Sequence, residues 1–134
     1  MKYQNTIENI TPEMLNGFFV EWPNPPSADK HLKILQQSSH IVIAIDQSAN
    51  RVVGFINAIS DGVLSAYIPL LEVIPTYQNK GIGNELLLRM LKQLEDFYMI
   101  DLSCDDDLVG YYEKRNFIKA NCMLKRNFKM QSGR

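Results

Sequence analysis

The stretch from Val73 to Leu88 constrains this chain more than any other part of it. An apolar, strand-like run ends at Pro75, and Gln78-Asn79-Lys80-Gly81-Ile82-Gly83-Asn84 then leads into a segment with helical periodicity. A strand that empties through a glycine-containing turn into a helix leaves the first N–H groups of that helix unpaired, at the positive end of its dipole. Such a turn is a place to hold phosphate oxygens.

The surrounding periodicities fit this start. Leu86, Met90 and Leu94 recur every four residues with Leu87 and Leu91 beside them, while Glu85, Arg89, Lys92 and Glu95 fall on the other face, which predicts a helix from about Gly81 to Asp96. Tyr98 to Cys104 reads as a buried strand, and a strand–helix–strand connection of this length places its two strands parallel. Upstream, His40 to Ile45, Arg51 to Ile59 and Val63 to Ile74 are separated by the turns Asp46 to Asn50 and Asp61-Gly62, which predicts an antiparallel meander. Trp22-Pro23-Asn24-Pro25-Pro26 is an extended loop between two short helices, one starting at Thr11-Pro12 and one at Ser27-Ala28. Asp105-Asp106-Asp107 supplies capping carboxylates for a helix from Leu108 to Arg115, and Phe117 to Ala120 and Met123 to Phe128 read as two closing strands. The sum is a mixed α/β (α+β) domain over residues 1–134, with helices on both faces of its sheet.

Composition narrows the partners. The chain has 134 residues, 46% of them hydrophobic, enough for one ordinary core. Its 14 basic and 15 acidic residues give a net charge of -1, so no positive field is available to track a nucleic-acid backbone. No apolar run reaches the ~20 residues of a membrane span, and the N-terminus lacks a signal-peptide pattern, so a soluble cytoplasmic protein is expected. Cys104 and Cys122 read as small buried hydrophobes, and neither has a partner at metal-ligand spacing. His31 and His40 read as packing or surface residues.

Two familiar phosphate cradles are excluded. A dinucleotide fingerprint needs a third glycine where Leu86 stands, and a Walker loop needs a Gly-Lys-Ser/Thr sequence that is absent. Two glycines alone could serve only to start a helix tightly. Their combination with Leu71-Glu72-Val73-Ile74-Pro75 before them and Tyr111-Tyr112 after them points to a site. At these residues the chain resembles the GNAT superfamily of acetyl-CoA-dependent N-acetyltransferases. Gln78-Asn79-Lys80-Gly81-Ile82-Gly83 matches that family's pattern Gln/Arg-x-x-Gly-x-Gly/Ala. Tyr112-Glu113-Lys114-Arg115-Asn116-Phe117 matches its Tyr-x-x-x-Gly-Phe pattern except at Asn116, a residue that tolerates positive φ.

The resemblance implies a GNAT-like, mostly antiparallel sheet of about six to seven strands, with a parallel pair splayed at the coenzyme site. It implies that Gln78, Asn79, Lys80, Gly81, Ile82, Gly83 and Asn84 bind acetyl-CoA, with the N–H groups from Asn79 to Asn84 holding its pyrophosphate, and that main-chain groups of Leu71 and Val73 hold the pantetheine arm. No metal is called for. The reaction would be direct attack of an amine on the thioester. An alkylamine of pKa about 10.4 is neutral in only about one molecule in 2,500 at pH 7, a handicap of roughly 4.6 kcal/mol, so a base is needed. Glu72, the one carboxylate inside the long strand, is the candidate, and Tyr112 is the candidate acid for the leaving thiolate. The acceptor is expected to be the primary amine of a small molecule, or a peptide or protein amine. Phe18, Phe19, Trp22 and Tyr67 are candidates to line its pocket, and Glu21 and Asp61 to meet a cation. An edge strand at Met123 to Phe128 offers a route to a homodimer. The alternative function is a non-catalytic coenzyme A sensor of the same fold.

Overall fold

β-branched runs bounded by turns build the centre of a five-stranded sheet. The computed structural model describes residues 1–134, with β1 (Lys2–Gln4), β2 (His40–Asp46), β3 (Arg51–Ser60), β4 (Ser65–Val73) and β5 (Met99–Leu102). The sheet order is β1-β2-β3-β4-β5, antiparallel throughout except for the parallel pair β4–β5. The helices are α1 (Ala28–Gln37), α2 (Ile82–Gln93) and α3 (Val109–Glu113), with 3₁₀ turns at Pro12–Met14, Pro75–Tyr77, Asp106–Leu108 and Phe128–Met130. α2 is the crossover between β4 and β5, which is why that pair is parallel.

Each face of the sheet carries its own core. On one face Val42, Ala44, Val53 and Ile56 meet Leu86, Leu87 and Met90 of α2, Leu94 at its C-cap and Tyr112 of α3. On the other, Ile41, Ile43, Ile45, Val52 and Phe55 meet Met14, Leu15, Phe19 and Leu35 of α1 and its preceding segment. Strand alternation sorts the residues between the two, with one extra residue in β3 at Val53, where the pairs Ala44↔Gly54 and Ile45↔Val52 flank it.

β4 breaks that alternation once. Between the pairs Asn57↔Leu70 and Ile59↔Tyr67, β3 advances by two residues and β4 by three, so β4 holds one extra residue, a β-bulge at Ile68-Pro69. Proline cannot donate to a ladder, which suits it to this place. Buried Asn57 stitches the break: its Oδ1 accepts from Leu70 N at 3.1 Å, and its Nδ2 donates to Ser38 Oγ at 3.0 Å. The extra residue flips the parity of the strand. Ala66 and Ile68 face α2, and beyond the bulge Leu71 and Val73 do so, whereas Leu70 packs on the α1 side. Glu72, between Leu71 and Val73, therefore turns toward α1.

Several expectations need correction. The sheet has five strands rather than six or seven. β1, unannounced by its sequence, pairs through three residues with β2, while Phe117 to Ala120 and Met123 to Phe128 are not strands. From Ile118 to Arg126 the main chain forms no hydrogen bond with other backbone groups. The first helix is a single 3₁₀ turn, stopped before Gly17 (φ 91°), and Thr11 makes no capping bond. Ser27 does cap α1, its Oγ accepting from Lys30 N at 3.2 Å. Asp105 makes no side-chain cap. Both cysteines are exposed rather than buried, since Cys104 follows the end of β5 and Cys122 lies in the unpaired segment. No helix is long and apolar enough to cross a membrane.

Candidate active site

Pairing of β4 with β5 stops at Ile68↔Leu102, while β4 continues to Val73. The two strands part at the bulge and leave the outer edge of β4 open. Ladder geometry fixes what that edge presents. Ile74 N donates to Val53 O at 2.9 Å, so the neighbouring pairs Val73–Gly54 and Leu71–Ile56 are the non-hydrogen-bonded ones, and their N–H and C=O groups point away from β3. The Val73 carbonyl is already engaged, accepting from Gln78 Nε2 at 2.9 Å.

Two cavities meet along this edge. One, of about 710 Å³, lies between the parted strands and is lined by Leu71, Glu72, Cys104, Tyr112, Glu21 and Trp22 among others. The second, of about 410 Å³, is walled by the turn after β4. Leu71, Val73, Gln78, Leu108 and Tyr112 border both.

The turn itself is built by local chemistry. Asn79 (φ 62°) and Gly81 (φ 83°) adopt left-handed conformations that asparagine and glycine tolerate better than other residues, and Gly81 is the N-cap of α2. A Cβ at Gly81 would meet nothing within 4 Å, so it is the backbone angle that calls for glycine. A Cβ at Gly83 would make only an ordinary 3.7 Å contact with Val73, so nothing in the protein's own packing requires Gly83 to be bare. None of the six N–H groups from Asn79 to Asn84 donates to the backbone of the chain. Asn79, Gly81, Ile82, Gly83 and Asn84 line the second cavity, while Lys80 lies outside its lining, with Nζ 5.1 Å from the centre of the Tyr77 ring.

Arg115 is a residue that sequence reasoning missed. Its guanidinium stacks on Tyr111, 3.7 Å from the ring centre, donates to Tyr111 O at 2.7 Å, and reaches Asn84 Oδ1 through Nε at 3.0 Å and through Nη2. It thus ties α3 to the first turn of α2 and brings a positive charge beside the unpaired N–H groups. The signal was the i, i+4 spacing of Tyr111 and Arg115.

Tyr112 is only 9% exposed and packs edge-on against Tyr111 and Phe117, with ring centres 5.1 and 5.6 Å away. Burial raises its pKa, the neighbouring Tyr111 and Cys104 add to the rise, and Arg115 opposes it. The group is a phenol at neutral pH. After α3, Asn116 takes φ 67°, and Asn116 N to Glu113 O (3.1 Å) and Phe117 N to Tyr112 O (3.2 Å) close the helix end. Asparagine therefore fills the conformation for which glycine is usual.

Glu72 lies in the same cavity as Tyr112, half-buried. Its Oε1 accepts from Phe19 N at 2.7 Å and from Val20 N at 3.4 Å. Burial raises its pKa, and these two hydrogen bonds act against the rise. Phe19 (φ 59°) and Glu21 (φ 69°) are held in the left-handed region, costly for such side chains, so the carboxylate pins a strained turn. Of the other candidates, Glu21 and Trp22 border the cavity, whereas Phe18 and Phe19 belong to the core and Tyr67 bonds Ser103 Oγ at 3.1 Å, outside it. Asp61 is not there either. Its Oδ1 accepts from the N–H groups of Val63, Leu64 and Ser65, which holds its pKa down at about 2. It braces a turn.

Parted parallel strands, a turn of free N–H groups and a buried tyrosine beside both agree with a match of residues 7–117 to the Acetyltransferase (GNAT) family. The chain belongs to the GNAT family. It is 33% identical over 105 residues to an uncharacterised N-acetyltransferase, ycf52, of Porphyra purpurea, covering 75% of this chain and 59% of that protein. It is 24% identical over 118 residues to GCN5-related N-acetyltransferase 1, chloroplastic, of Arabidopsis thaliana, covering 86% and 60%. The GNAT chain thus spans about 60% of the length of these curated relatives. A crystal structure of a Deinococcus radiodurans R1 protein, described only provisionally as an acetyltransferase, superposes with a TM-score of 0.95 at 45% identity, covering 98% of this chain and 92% of that one.

Proposed function

We propose that this GNAT domain is an N-acetyltransferase that moves the acetyl group of acetyl-CoA to a primary amine, of a small molecule or of a peptide or protein. The observation that carries it is the row of six N–H groups, Asn79 to Asn84, left without backbone partners beside the open edge of β4. These groups, with the Arg115 guanidinium, suit a diphosphate. The outward N–H and C=O groups of Leu71 and the N–H of Val73 suit the amides of a pantetheine arm. The coenzyme supplies the acetyl group as a thioester.

The chain's own side chains supply the proton transfers. Glu72 Oε1 is committed to the backbone of Phe19 and Val20, so Oε2 is the oxygen that takes the ammonium proton, directly or through one water. Burial raises the basicity of this carboxylate toward what the task needs. Tyr112, neutral because burial raises its pKa, gives its proton to the departing sulfur. Glu21 and Trp22 at the mouth of the larger cavity suit a cationic amine, through charge and through the ring face.

A panel of amines with acetyl-CoA, read by release of free thiol, tests the activity. Titration calorimetry with coenzyme A tests the site, and no binding at millimolar concentration overturns the proposal. Tyr112→Phe is expected to lower kcat about 100-fold, in the range for loss of a general acid, while leaving coenzyme A affinity unchanged. Unchanged turnover across pH removes the acid role from Tyr112.

A further inference from the structure

The short helix that carries Tyr112 is tied to the rest of the chain by little directional chemistry. α3 has five residues, far below the ~12 that an isolated helix needs, so its place depends on its neighbours. From Cys104 to Phe117 every backbone hydrogen bond stays inside the segment, as in Leu108 N to Asp105 O at 2.9 Å and Lys114 N to Gly110 O at 3.2 Å. Two hydrogen bonds leave it, both from the Arg115 guanidinium to Asn84 Oδ1 of α2, through Nε at 3.0 Å and through Nη2. What else holds α3 is the packing of Tyr111, Tyr112 and Phe117 against the core. Apolar burial is non-directional and keeps the helix on the sheet without fixing where along it the helix stands. A paired, charge-assisted hydrogen bond fixes both distance and angle.

Arg115 is itself locked to α3, stacked 3.7 Å from the centre of the Tyr111 ring and donating to Tyr111 O at 2.7 Å. Asn84, the third residue of α2, serves two sides. Its N–H is one of the six without backbone partners, and its Oδ1 takes the guanidinium. The cavity walled by the turn at 78–84 is lined by Asn84, Tyr111 and Tyr112, and Arg115 stands behind the first two. Its charge reaches the site through space, while its hydrogen bonds act on α3.

We infer that Arg115 is a positioning residue: gripped by Asn84 in the turn at 78–84, it sets where α3 stands and so where the Tyr112 hydroxyl meets the departing sulfur. The inference rests on the reading of Tyr112 as the acid. One residue, Asn84, then joins the seat of the coenzyme to the group that protonates its thiolate.

Asn84→Ala removes the acceptor and keeps the N–H. It is expected to lower kcat about 10-fold while coenzyme A affinity by calorimetry changes less than ~3-fold, because a small misplacement of a reacting group costs rate before it costs binding. Arg115→Lys, which keeps the charge and loses the fork, is expected to do the same. The cycle with Tyr112→Phe decides the role. Once the hydroxyl is gone, Asn84→Ala should lower kcat by less than ~2-fold further, since a link that acts through that group has nothing left to place. Amides from Lys114 to Phe117 should exchange about 10-fold faster in the free Asn84→Ala protein than in the wild type. Full kcat in Asn84→Ala or in Arg115→Lys, losses that multiply in the Tyr112→Phe background, or unchanged exchange overturns the inference and leaves the reading of the site standing. A wild-type chain that releases no thiol with any amine, or a Tyr112→Phe variant with full turnover, removes that reading and the inference together. If Asn84→Ala does not fold, Arg115→Lys carries the same cycle.

Discussion

Two turns flank the open edge of β4, and they are built in opposite ways. The turn proposed to hold the coenzyme, 78–84, puts asparagine and glycine at its positive-φ positions, at little cost. The other turn, 16–22, has Gly17 at one such position but puts Phe19 and Glu21 at two more and keeps them by a long-range contact, the Glu72 carboxylate on Phe19 N and Val20 N. Under it, Phe19 packs on His31 and Phe55, with ring centres 5.0 and 6.2 Å away. The first turn is preformed by its own residues. The second exists only because the rest of the fold imposes it, so strain and titratable groups gather there.

The largest effect is expected on the preformed side. Gly83 sits at the second position of α2, where an aspartate suits the helix dipole, and a Cβ there meets only Val73 at 3.7 Å. Gly83→Asp should therefore leave stability unchanged or slightly raised. It should weaken coenzyme A binding on the order of 10³-fold, the loss of two charge-assisted hydrogen bonds at about 2 kcal/mol each. Calorimetry on the variant and on Gly83→Ala checks this. Equal affinity in the aspartate variant breaks the comparison, because the turn is then not a cradle.

The same contrast explains what was legible in the sequence. The turn at 78–84, α2 and the parallel strand after it follow from local signals: glycine spacing, a four-residue apolar repeat, and the crossover rule. The bulge at Ile68-Pro69 left only a proline as its trace, yet it decides that Glu72 faces α1 and that the strands part where they do. The pinning of Phe19 joins residues 53 positions apart, beyond any local pattern. Asp61 looked like a substrate-facing acid because a turn aspartate and a binding aspartate have the same sequence context. Ile118 to Phe128 has the composition of strands, but a strand needs a paired neighbour, and from Ile118 to Arg126 the backbone pairs with none.

His31 gives a sharper test of the imposed side. It is fully buried among Phe18, Phe19 and Phe55, neither ring nitrogen has a hydrogen-bond partner, and burial lowers its pKa to about 4. The unfolded chain then binds this proton more readily than the folded one, so stability is full above about 6.5 and falls as pH drops toward 4. Complete protonation should cost on the order of 3 kcal/mol. Urea midpoints against pH measure the slope, and His31→Leu should remove the rise with pH that this histidine contributes. Hydrogen exchange at pH 5 should show the turn at 16–22 opening while coenzyme A affinity is retained. Simultaneous loss of both would mean that the two turns are one cooperative unit.

Glu72 titrates with the opposite sign, and that separates its two roles. Burial raises its pKa above the ordinary value of 4.5, so the folded chain holds this proton more tightly than the unfolded one. Its contribution to stability is present below 4.5 and is lost as pH rises through the raised value. In a His31→Leu background the stability curve should therefore fall with rising pH, and adding Glu72→Gln should flatten it. The glutamine keeps an acceptor for Phe19 N and Val20 N, so the turn should survive within about 1 kcal/mol. Turnover should nonetheless drop about 100-fold, and the acid limb of the rate profile should vanish with coenzyme A affinity intact, as expected for a lost base. If turnover and the acid limb both survive in Glu72→Gln, the carboxylate only pins the turn, and the amine loses its proton to water.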